Sequence, residues 1–120
     1  MPVSYAIPLD NSQYSDGQQT LKGRPKMKDT EELIKDLKHK DSSIRQHAAE
    51  TLGSVGDEKA VDSLILALKD RNKFVRQEVV SALGKIGGKS LLEPLTHALE
   101  EEKDEYVKSF INKVLDKLQK

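Results

Sequence analysis

Cysteine and tryptophan are absent from the 120 residues, and only five aromatic side chains remain. Without a thiol there is no disulfide, no nucleophilic thiolate and no thiolate metal site, and the composition suits a reducing, cytoplasmic compartment. No stretch nears the roughly 20 apolar residues that a membrane-spanning helix needs, so no membrane partner is expected. Net charge is missing too. The 20 Lys plus Arg balance 20 Asp plus Glu, which leaves no global attraction to nucleic acid or anionic lipid. What the chain does have is charge of both signs, 33% of residues against 36% hydrophobic, a balance common in charge-rich helical proteins. The length fits one domain.

The zero conceals a division. Residues 1–28 carry Lys22, Arg24, Lys26 and Lys28 against Asp10 and Asp16, and hold three of the four prolines (Pro2, Pro8, Pro25). No apolar period of 3.6 or 2 runs through this stretch, so it reads as a flexible N-terminal tail. Without a basic start or an apolar core of 7–15 residues it does not read as a signal peptide. Its one apolar cluster, Val3 to Leu9, is either inert or a docking peptide for a groove.

From residue 29 a repeat takes over. A shift of 31 residues lays Leu33-Ile34 on Leu64-Ile65, Leu37-Lys38 on Leu68-Lys69, Arg45-Gln46 on Arg76-Gln77, Leu52-Gly53 on Leu83-Gly84 and Gly56 on Gly87. A third copy starts with Leu95 and Leu99. One extra residue within Glu100–Lys103 then moves the offset to 32, and Val107, Lys108, Ile111 and Leu115 match Val75, Arg76, Val79 and Leu83. The copies are residues 29–56, 57–88 and 89–120.

Each copy reads as two helices. Asp29 to Glu32 is a capping-box pattern, and Ser90 to Glu93 repeats it in the third copy. Asp41 or Ser42 opens the second helix of the first copy, with Ile44, Ala48, Leu52 and Val55 as its apolar stripe. Gly53, Gly56, Gly84, Gly87 and Gly88 read as helix ends. Leu64 to Leu68 is apolar all round, as suits a helix flanked on both sides. Lys35-Asp36 at one end, and Asn112 and Asp116 at the other, read as polar caps that close the stack.

The pattern Leu-x-x-x-Leu, Asp/Asn-x-x-Val/Ile-Arg, a small apolar pair, Leu-Gly and a final Gly resembles short HEAT-like repeats, most nearly those of phycobilisome-lyase-type HEAT proteins. The resemblance covers residues 29–120. It implies an all-α fold, an α-α superhelix of three helical hairpins, and a role as scaffold or adaptor, although some members of the family are enzymes. Asp41 with Arg45, and Asn72 with Arg76, stand where the family has its inter-repeat polar ladder. The third copy departs, with Asp104 and Lys108 in those places.

Chemical sites find little footing. Arg45 and Arg76 recur at one repeat phase, which argues for structural pairing with acids and carbonyls of the adjoining repeat. His39, His47 and His97 fall at different phases with no i, i+4 partner suitable for a metal, so each reads as a solvated surface residue and no metal or cofactor is expected. HEAT-like hydroxylases carry His-Glu dipeptides, and none occurs here. No phosphate-loop spacing or nucleophile elbow is found, so no catalytic residue is expected. A bilin-lyase-type accessory role is the enzymatic alternative; nucleic-acid association through the basic tail is another.

In HEAT-like solenoids the second helices line the concave side. Opposite their apolar stripes stand three rows: Ser43, Phe74 and Tyr106; His47, Glu78 and Phe110; Glu50, Ser81 and Lys113. Aromatic rings on a polar, weakly basic face suit a protein partner, a peptide or a helix, better than nucleic acid. The expected contacts are Phe74, Glu78, Tyr106 and Phe110, with His47 and Lys113 at the rim. The competing reading packs Phe110 over the C-terminal cap and Phe74 beside the first-helix loop.

Overall fold

The computed structural model describes residues 28–120. The tail of residues 1–28 lies outside them except for Lys28, whose ammonium pairs with Asp36. Six helices follow: α1 (Thr30–Asp36), α2 (Ser42–Val55), α3 (Val61–Ala67), α4 (Lys73–Ile86), α5 (Leu92–Glu101) and α6 (Glu105–Gln119). Short 3-10 turns at Glu58–Ala60 and Lys89–Leu91 lead into α3 and α5. Each odd-numbered helix packs on the even-numbered one after it, and the second helices pack in series, α2 on α4 and α4 on α6. The all-α solenoid of three hairpins expected from the repeat is the observed architecture.

Local chemistry fixes the helix ends. Asp29 accepts from the Glu32 amide at 2.9 Å, and the Glu32 carboxylate accepts from the Asp29 amide at 3.1 Å, a complete capping box. Asp41, Asn72 and Asp104 cap α2, α4 and α6, each accepting a backbone N–H of the first turn. The third repeat opens differently from the expected Ser90 box. Ser90 lies inside a 3-10 turn, and α5 begins after Leu91 without a side-chain cap. Leu91 is buried in the core, as Ala60 is at the equivalent point of the second repeat, and this anchoring takes the place of the cap.

The core runs the length of the stack: Leu52 and Leu64, then Val75, Val79, Val80 and Leu83 of α4, then Leu91, Leu95, Val107 and Ile111. Each such side chain contributes about 1.5–3 kcal/mol by leaving water. The central helix α4 is flanked by α2 and α6 and carries the most buried residues.

Three expectations need correction. Gly53 and Gly84 are interior residues of α2 and α4, not helix ends. They sit where neighbouring second helices approach: a Cβ on Gly53 would come within 2.7 Å of the Ala82 Cα, and one on Gly84 within 3.1 Å of a Val114 methyl. Val55, placed on the apolar stripe, is exposed at the last turn of α2, which among the described residues has a second-helix neighbour on one side. Leu66, taken as flanked on both sides, is 69% exposed. The stack is carried by α2, α4 and α6, so the outer side of α3 stays open.

Candidate functional site

Along the edge formed by the loops between first and second helices, two arginines tie the repeats together. Arg45 is buried; its Nε donates to Asp70 at 2.8 Å and its Nη2 at 3.1 Å, a bidentate pair, while Nη1 donates to the carbonyls of His39 and Lys40. Arg76 repeats the arrangement with Glu102 at 2.8 and 2.9 Å and with the Asp70 carbonyl. Each guanidinium thus clamps its own loop to that of the next repeat, which suits the planar fork of Arg and not the point charge of Lys.

The ladder's acidic members therefore differ from those read in the sequence. Asp41 and Asn72 are occupied as N-caps, and Asp70 and Glu102 hold the guanidinium groups. The repeat phase carries the missing signal. His39, Asp70 and Glu102 are equivalent, each two residues before an N-cap and each accepting the amide of that capping residue, at 2.9, 2.9 and 3.0 Å. His39 is accordingly half-buried and hydrogen-bonded, where a solvated residue was expected. At the third repeat Lys108 turns to Glu105 within its own helix, and Asp104 caps α6 and faces Lys73 at 3.5 Å.

The face of the second-helix layer turned away from the first helices holds the expected contact residues. Phe74 is 55% exposed and Tyr106 68%, at equivalent positions in the first turns of the adjacent helices α4 and α6. Lys73 Nζ stands 5.5 Å from the centre of the Phe74 ring, a cation–π contact on an open surface. Phe110, by contrast, is half-buried and packs against the core. His47 and Lys113 are exposed, with His47 Nδ1 4.0 Å from the Glu50 carboxylate.

Glu78 lies between these residues, half-buried. Partial burial, and then the like charge of Glu50, push its carboxyl above the ordinary value, while Lys85 and a hydrogen bond from Gln46 oppose the rise. The patch therefore combines two exposed rings with an acid whose charge is poorly compensated. Among the described residues, no cluster of three or more His, Cys, Asp or Glu stands close enough to hold a metal ion. None of the described helices is long and apolar enough to cross a membrane.

A sequence model of HEAT repeats matches residues 30–115, most of the chain. The chain belongs to the HEAT-repeat family. HEAT repeats generally mediate protein–protein interaction, and this HEAT-repeat chain has their features in place: hairpins stacked through the second helices, and Arg ladders along one loop edge. No curated protein matches it significantly.

Proposed function

We propose that this HEAT-repeat chain is a non-catalytic adaptor whose second-helix layer captures a peptide or helix of a partner protein. The observation that carries the reading is the pair of rings, Phe74 and Tyr106, held exposed at one repeat phase on neighbouring helices. Exposed aromatics on a polar face are expensive to hydrate and anchor the centres of interfaces. They stand on helices fixed by caps and core, so binding requires little ordering of the module itself.

Glu78 sets the chemistry of the partner. A carboxylate with Glu50 as neighbour gains most from a cation, so the favoured ligand places a Lys or Arg next to an apolar side chain. Phe110 contributes only the exposed part of its ring, and His47 and Lys113 form the rim. A chain free of cysteine suits work in the cytoplasm.

The test is capture from lysate of the source cells, with the intact chain against its Phe74→Ala/Tyr106→Ala variant. Both rings are more than half exposed, so helicity and melting temperature should stay nearly unchanged while one or more proteins are lost from the captured set. Equal capture by both forms removes the assignment of this face. A large fall in melting temperature shows that the rings belong to the core.

A further inference from the structure

The outer face, on the opposite side of the stack, carries a groove that the proposed adaptor role leaves unused. It runs between α3 and α5, has a volume of about 600 Å³, and is floored by Ile65, Leu66, Pro94 and Ala98. The Leu66 side chain is 69% exposed, while the residues equivalent to it in the other repeats are Lys35 and His97. With Ile65, Pro94 and Ala98 beside it, the leucine makes a contiguous apolar floor, which is what distinguishes a contact surface from a single exposed side chain.

The rim is basic. Asp70 and Glu102 border the groove, but Arg45 and Arg76 already neutralise them. Glu101 faces the imidazole of His97 at 3.4 Å. Among the described residues Lys69, Arg71 and Lys103, all exposed, have no ion-pair partner, and they gather where the groove meets the loop edge. The fitting occupant is therefore an apolar segment ending in an acid.

We infer that the groove is filled by the chain's own N-terminal segment, Val3 to Asp10. Tyr5, Ile7 and Leu9 alternate so that an extended strand points them to one side, and Asp10 follows directly to meet the basic rim. Residues 1–21 contain Asp10 and Asp16 and no Lys or Arg, so the charge of this half complements the groove. The link is long enough. The stretch between Leu9 and Lys28 spans roughly 23 Å on average as a flexible chain, and up to about 60 Å when extended. One wall of the groove, α3, is the first helix of the repeat that follows α1, so the linker starts one repeat away. Tethering at this range gives an effective concentration on the order of millimolar, so even a weak contact is populated.

The absence of cysteine makes the experiment clean, since one introduced thiol is unique. A nitroxide on Ser12→Cys in the full chain should broaden the amide signals of Leu66, Lys69 and Ala98 selectively, and the broadening should persist on dilution. It should vanish when Ile7→Ser and Leu9→Ser are added, and weaken in Lys69→Glu/Lys103→Glu. Leu66→Ser, at an exposed position that folding does not need, should abolish it with helicity retained. Uniform broadening, or broadening centred on α2, α4 and α6, overturns the inference. So does broadening that fades on dilution, because the occupant is then the segment of a second copy. Loss of the broadening at Leu66, Lys69 and Ala98 alone leaves capture through Phe74 and Tyr106 untouched, because those rings stand on α4 and α6.

Discussion

Glu78 serves neither packing nor capping, and its place on α4 costs the fold something. Its carboxyl is held above the ordinary value of 4.5 by partial burial and by Glu50, so folding favours the protonated form. That contribution is complete below the unfolded value and is lost as pH rises through the raised folded one, so the wild-type chain bears the cost at neutral pH. Glu78→Gln should therefore raise the melting temperature at neutral pH. The gain should correspond to less than about 1 kcal/mol, because solvent screens a half-exposed group. It should shrink to nothing as the pH falls below 4.5, and melting curves across that range check it. On the proposed adaptor reading, the same substitution should also weaken partner capture. Arg45 and Arg76 differ: their hydrogen bonds are satisfied within the fold, and they leave no charge for a ligand.

Between elements, the spacing of second helices is set by glycine. On α2, a methyl group at Gly53 would meet the Ala82 backbone at 2.7 Å, and backbone cannot step aside without moving a helix. On α4, a methyl at Gly84 would meet the two methyls of Val114 at 3.1 and 3.2 Å, and that side chain can shift by a few tenths of an ångström. Gly53→Ala should thus destabilise by about 1–3 kcal/mol through overpacking, despite the roughly 1 kcal/mol that alanine gains in a helix. Gly84→Ala should come out near neutral, and denaturant titration of both proteins separates the two contacts. These glycines mark the limit of what a single sequence discloses. The Leu-Gly pairs were legible as a repeated motif, but a glycine that ends a helix and one that admits a neighbour look alike until α2, α4 and α6 are seen side by side. The cap at Asp29, and the start of α2 at Asp41 or Ser42, were legible because their signals are local, within three residues. The groove under Leu66 was not, because it depends on the first helices being left apart while the second helices close up.

Taken whole, the molecule is a one-dimensional stack, and its two ends decide whether it stays a single unit. Among the described residues the main packing of second helices runs between adjacent repeats, so α4 is covered on both sides and α2 and α6 on one. The contrast is visible at equivalent positions: Val80 and Gly84 are buried in α4, whereas Asn112 and Asp116 are exposed on α6. Lys108 stands where Arg76 would continue the ladder, and it turns back to Glu105. The end of the stack is thus polar in its side chains and closed in its hydrogen bonds, with no acceptor loop beyond it among the described residues. Restoring the interior sequence should reopen it. Asn112→Val with Asp116→Gly gives α6 the small, apolar surface that α4 buries against its neighbour. Two such ends can then cover each other about a two-fold axis, so the variant should dimerise with rising concentration while wild type does not. Sedimentation equilibrium over a concentration series measures this. A variant that stays monomeric would mean that the polar residues of α6 are not what keeps this face from pairing.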